Sequence, residues 1–201
     1  FKQQAGVVWR VTWTGDGTSN RQIPHGLGVA PGMIIVKRRD AVANWIVSHR
    51  SAPPVPTGTL VLNLTDAAID GGSLFVRNTS ATTITLGGSD PVNASGGTYV
   101  AYLFAHDPSA DGIVQCGSFT GTGSVALGWR PQFLLTKRID SADAWFINDS
   151  TRVWGAGADQ YLIASSSNAE ATFDLSDPTN TGFTYNYASG ANIYLAIRAP
   201  Y

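Results

Sequence analysis

The sequence carries two copies of one pattern, and this duplication limits the folds open to it. His25-Gly26-Leu27-Gly28-Val29-Ala30-Pro31-Gly32-Met33-Ile34-Ile35-Val36-Lys37-Arg38 returns as Ala126-Leu127-Gly128-Trp129-Arg130-Pro131-Gln132-Phe133-Leu134-Leu135-Thr136-Lys137-Arg138. Flanking blocks repeat in the same order. Thr14-Gly15-Asp16-Gly17-Thr18 matches Thr120-Gly121-Thr122-Gly123-Ser124, Asp40 and Asn44-Trp45 match Asp140 and Ala144-Trp145, and Tyr99-Val100-Ala101-Tyr102 matches Tyr194-Leu195-Ala196-Ile197. The offset drifts from 106 through 100 to 95, as short loop insertions would make it do. That period exceeds a solenoid unit and suits a duplicated small domain. A Pro-, Gly- and Asp-bearing stretch, His106 to Gly112, reads as the linker, which predicts modules over 1–107 and 108–201.

The residues between the repeats call for strands. Only 13% of the chain is charged, against roughly 25% in ordinary soluble domains, and Glu170 is the sole glutamate. Val, Ile and Thr abound beside 22 Gly and 10 Pro, a mixture that favours pleated strands and tight turns over helices. Short alternating or apolar runs such as Val7–Trp13, Met33–Lys37, Trp45–His49, Leu60–Asn63, Leu74–Arg77, Thr83–Leu86 and Thr98–Ala105 are cut by turn residues. The second copy repeats the plan. The expected fold is all-β: two tandem antiparallel β-sandwich modules, jelly-roll-like and related by internal duplication. Thr65–Ala68 and Asn168–Ala171 have room for a short helical turn, and their paired position marks one equivalent connection whatever its conformation. Net charge is −1, so nothing favours nucleic acid as a partner, and no apolar run is long enough for membrane insertion. Cys116 is alone and reads as a small buried residue, and a start at Phe1 reads as part of a longer polypeptide.

Taken together, the Gly-x-Gly-Thr turn, the His25–Lys37 block, the Asn44-Trp45 pair and the Gly96-Gly97-Thr98-Tyr99-Val100-Ala101-Tyr102-Leu103-Phe104-Ala105 ending resemble a repeat module of bacteriophage tail-fibre and related virion proteins, of the kind found in aquatic phages. The pattern runs from Thr14 to Ala105 and again from Phe119 to Ala199. The resemblance implies a non-enzymatic virion component, extracellular after release, that acts in host attachment. It implies a homotrimer, contacts with other tail or virion proteins, and a host surface glycan or protein receptor. The second copy departs from the pattern, with Trp129-Arg130 in place of Val29-Ala30 and nothing at His25.

Catalytic and metal chemistry find little footing. A polysaccharide-degrading tailspike, the rival expectation, needs two carboxylates across a scissile bond, and no carboxylate motif recurs except Asp40 and Asp140. Those follow the basic strand ends and read as loop caps. No nucleophile elbow appears, Cys116 has no neighbouring His, and His25, His49 and His106 lack metal-ligand spacing, so no catalytic residue, metal or cofactor is expected. His25 reads as an imidazole bonding its own bend, and Asp107–Gly112 is only faintly like a calcium loop.

Aromatic residues carry the remaining possibility, because a sugar is gripped by a flat ring with hydrogen-bonding neighbours. Trp45 with His49, Trp145, and Trp129 have the chemistry for glycan or receptor contact, though a tryptophan that opens an apolar strand also serves as a core anchor. Trp154, beside Arg152 in a glycine-flanked loop with no counterpart in the first copy, fits either packing or acquired binding. A purely structural shaft or head-decoration module would need none of these.

Overall fold

A computed structural model describes residues 3–55, 58–72, 75–187 and 189–198, with backbone alone at 77 and 78. Leu74, expected in a strand, lies outside the described residues. The chain divides into two compact units, Phe1–Asn63 with Ala68–His106 and Leu64–Ala67 with Asp107–Tyr201.

In the first unit the strands are β1 (Val8–Thr14), β2 (Arg21–Pro24), β3 (Met33–Arg38), β4 (Trp45–His49), β5 (Gly58–Val61), β6 (Ile69–Asp70), β7 (Val76–Thr79), β8 (Thr83–Leu86) and β9 (Thr98–Phe104), with one helical turn, α1 (Asp90–Asn93). The second holds β10 (Val114–Thr120), β11 (Gly123–Ala126), β12 (Pro131–Arg138), β13 (Trp145–Asp149), β14 (Asp159–Ile163), β15 (Ala171–Phe173), β16 (Ser176–Thr179), β17 (Gly182–Tyr185) and β18 (Ala191–Arg198). The first unit forms a six-stranded sheet, β1-β9-β3-β4-β5-β6, and a three-stranded one, β2-β8-β7. The second forms β10-β18-β12-β13-β14-β15 and β11-β17-β16, the same order element for element. Every pairing among the described strands is antiparallel. The protein is all-β, and the two similar six-stranded sheets bear the mark of duplication.

Each unit has its own core, drawn from both of its sheets. In the first, Ile34, Val36, Ile46, Ala101 and Leu103 of the large sheet cluster with Ile23, Val76, Ile84 and Leu86 of the small one. In the second, Leu134, Phe146, Tyr194 and Ala196 cluster with Phe183 and Tyr185. The turn before each central strand depends on a glycine in left-handed conformation, Gly28 at φ +81° and Gly128 at φ +84°, where a side chain would be strained. Cys116 is buried. Asp107 accepts from Ser109 N in a local turn.

Two expectations need correction. Residues 65–68 and 168–170 are not helical; they lead into the edge strands β6 and β15, and Ala171 already pairs with Tyr161. Neither segment has a proline to preset a first turn against the cost of nucleation, so edge pairing wins. The helical turn falls instead at Asp90–Asn93, where Pro91 in the first turn presets the backbone. The register also shifts one match. Thr14 opposes Thr98 and Thr120 opposes Ala191, so Tyr99 corresponds to Asn192 and Ala101 to Tyr194. The alignment of Tyr99 with Tyr194 was two residues out, an error that hides well because a shift of two keeps every side chain on its face.

Tyr99 explains why the first unit can hold its helical turn. Its hydroxyl donates to Asp90 O at 2.6 Å and accepts from Ala94 N at 2.8 Å. Trp13 stacks on the ring at 5.4 Å and 14° and donates through Nε1 to Val92 O. The segment carrying Asp90 and Pro91 is thereby fixed above the sheet.

Candidate functional site

The aromatic residues named from the sequence lie mostly inside. Trp145 and Trp129 are buried, and so is Trp154, whose Nε1 donates to Ser176 O at 2.7 Å. Trp129 and Trp154 are brought together, in the second unit's core cluster. Their rings face packed neighbours and offer no flat face to a sugar; the loop at Trp154 is anchored by that ring. His49 is buried, with Nδ1 accepting from Ser51 N. Arg152 is held by two carboxylates, Asp149 and Glu170, the latter at 2.6 Å. Trp45 is half-buried, with Lys37 Nζ 5.7 Å from its ring centroid.

An exposed aromatic surface forms elsewhere. Phe173 ends the edge strand β15 and Tyr187 follows β17; they are 48% and 39% exposed, and their rings meet edge-to-face at 5.8 Å and 90°. Below them Tyr187 contacts Phe146 at 5.0 Å, and Phe146 contacts Tyr161 at 5.6 Å, which ties the outer pair to the core. Polar groups flank the pair. Asn186 Nδ2 donates to both Asp174 Oδ1 and Asp177 Oδ2, at 2.7 and 2.9 Å. Burial and the nearby Asp143 carboxylate push the Tyr187 phenol up, so it stays a neutral hydroxyl at ordinary pH.

This surface belongs to one copy only. Counting along the paired strands from Ile46–Val61 and Phe146–Ile163, Phe173 stands where the first unit has Gly71. Counting from Leu86 and Tyr185, Tyr187 stands where it has Gly88. A Cβ at Gly88 would already lie 3.1 Å from Gly17 O and from Ser19 Oγ, so that copy is crowded at this position. Comparing the two copies in the right register is the signal that exposes this difference.

The carboxylates are engaged structurally. Asp40 accepts from Arg38 Nε and Thr98 N, which together hold its carboxyl at about 2. Asp140 does the same with Arg138 and Ala191 N, and its carboxyl is likewise lowered. Both cap their loops. Asp159, Asp174 and Asp177 bring oxygens within 4.8 Å of one another, the one such group among the described residues. Asp159 is buried, which raises its carboxyl, and it accepts from Gly155, Leu175 and Ser176 N–H groups. Asn186 bridges the other two through its amide nitrogen, while Asp177 Oδ1 is buried with no hydrogen-bond partner. His25 Nδ1 accepts from Leu27 N, bonding its own bend.

No helix among the described residues is long and apolar enough to cross a membrane. A family model described as a domain of unknown function, DUF7483, matches residues 2–194. No curated protein and no solved structure matches the chain.

Proposed function

The chain belongs to the DUF7483 family, and we propose that it is a non-enzymatic component of a bacteriophage virion appendage that acts in attachment to host-surface glycan. The single observation that carries this proposal is the exposed Phe173–Tyr187 pair, present in one copy of a duplicated scaffold and replaced by glycines in the other. Two half-exposed rings at right angles, with Asn186, Asp174 and Asp177 beside them, supply an apolar face for a sugar ring and polar groups for its hydroxyls. Such a surface serves binding without chemistry, and the carboxylates around it are bridged or hydrogen-bonded. The proposed module is a jelly-roll-like sandwich, assembled as a homotrimer with other tail or virion proteins.

The test is binding of the intact chain to a panel of bacterial lipopolysaccharides and capsular polysaccharides. Wild-type protein binds at least one member without degrading it, and the Phe173→Ala/Tyr187→Ala variant loses that binding with its circular dichroism unchanged. Release of reducing ends from the bound polysaccharide would put a hydrolase in its place. A double variant that binds as wild type would remove the aromatic pair from the account.

A further inference from the structure

A second surface, in the first unit, is built differently. A groove of about 460 Å³ opens beside β3 and β4, within the size range of small-ligand sites. Val42, Ala43 and Pro91 give it an apolar side. Arg38, Asn44, Asn63 and Asp90 give it a polar one.

The amide orientations follow from one fixed donor. Trp45 N–H donates to Asn63 Oδ1 at 2.8 Å, so the Asn63 amide nitrogen faces the other way and donates to Asn44 Oδ1 at 3.0 Å. Asn44 is then left with its own Nδ2 directed outward, and Asn63 keeps one further N–H. The relay polarises the terminal amide, since each bond strengthens the next. Arg38 is tied to Asp40 through Nε and one terminal nitrogen, so its remaining N–H groups line the groove. Asp90 supplies the acceptor. The formal charges lining the groove balance, Arg38 against Asp90, and Lys37 Nζ is engaged by Ala43 O.

The relay is peculiar to this copy. Trp145 N pairs with Ser165 Oγ at 3.4 Å where Trp45 pairs with Asn63, and Ala144 replaces Asn44.

We propose that this groove binds a neutral hexose or N-acetylhexosamine unit, through the Asn44 and Asn63 amides, Arg38 and Asp90. Several donors and one carboxylate acceptor match vicinal hydroxyls and an acetamido carbonyl, and the apolar side meets the ring. A uronate or sialate gains nothing net from a charge-balanced site. The inference rests on the proposed function only in taking carbohydrate as the partner; the groove and the aromatic pair are separate sites.

Isothermal titration of the intact chain with a mannan oligomer and with chitotriose, against an alginate oligomer as the anionic arm, tests it. At least one neutral ligand binds saturably and more tightly than alginate. Asn44→Ala and Asn44→Asp, both at an exposed position, weaken that binding at least tenfold with the melting temperature unchanged, while Phe173→Ala/Tyr187→Ala leaves it intact. The proposal fails if neither neutral ligand binds, if alginate binds more tightly, or if both Asn44 variants bind as wild type. Loss of all binding in the aromatic variant alone would sink the groove and leave the proposed function standing; loss in the Asn44 variants alone supports the groove, and the aromatic pair is then judged by the polysaccharide panel.

Discussion

Gly117 lies directly across the β10–β18 ladder from Tyr194, and a Cβ at 117 would stand 2.5 Å from the phenol oxygen. In the first unit the corresponding pair is Val11 opposite Ala101. The large residue has changed strands between the copies, and the small one has changed with it. Tyr194 in turn packs edge-to-face on Phe183 at 5.5 Å, so the swap feeds the second unit's aromatic core.

Gly117→Ala therefore overpacks that position and destabilises the chain by about 1–3 kcal/mol, read from denaturant unfolding. Tyr194→Ala in the same chain removes the clash, so the two substitutions are strongly non-additive. Additive effects would mean that the ring moves aside without strain.

Trp154→Ala costs about 3–5 kcal/mol, the range for a large buried aromatic, because it removes a core ring and leaves Ser176 O without its indole donor. The variant is a stability probe. A chain that unfolds at the wild-type denaturant midpoint would contradict this packing.

The Arg38–Asp40 and Arg138–Asp140 braces set an acid limit. Both carboxyls lie below their ordinary value of 3.8 in the folded chain, Asp40 at about 2. Their contribution is fully present above about pH 4 and is lost as pH falls toward 2, because the unfolded chain takes up protons first. Asp40→Asn/Asp140→Asn is less stable than wild type at pH 6, and the difference vanishes near pH 2. A gap that stays constant with pH would rule the braces out as titrating groups.

Lys137 sets an opposite trend. Burial lowers its ammonium from 10.5 to about 8, against the pull of Asp143 and Asp66, while Nζ donates to Arg138 O and Thr65 O. The unfolded lysine binds its proton more tightly, so stability rises with pH from about 8 toward 10.5, by on the order of 2–3 kcal/mol. Tyr99, Tyr185 and Tyr187, all raised above 10, reverse the trend beyond that pH. Urea midpoints at pH 7.5, 8.5 and 9.5 show the rise in wild type and a flatter profile in Lys137→Met; equal slopes would contradict it.

Much of this fold was legible from period-two patterning. Met33–Lys37 and Trp45–His49 form strands as their apolar residues dictate, and Asp40 and Asp140 cap the loops where turn chemistry placed them. The strands missed are β2, β6, β11 and β16; β2 is short and ends on Pro24. β6 has two residues, β11 opens on Gly123, and β16 contains Asp177 and Pro178, so each is held by its neighbours rather than by propensity. The tryptophans stayed open between core and surface for a related reason. A glycine-flanked loop says that Trp154 is not in a strand, but only three-dimensional packing says which way its ring turns. Phe173 and Tyr187 stayed hidden because their exposure follows from β15 being an edge and from the glycines that replace them in the other copy.

The central claim is that Phe173 and Tyr187 form a sugar-binding surface, and their ring protons report on it directly. Titrating the intact chain with the lipopolysaccharide or capsular polysaccharide it binds, and following aromatic resonances by nuclear magnetic resonance, should shift both rings saturably. The buried rings of Trp145 and Phe183 should hardly move. Saturable binding with Phe173 and Tyr187 unshifted, or no binding to any member of the panel, would contradict the account.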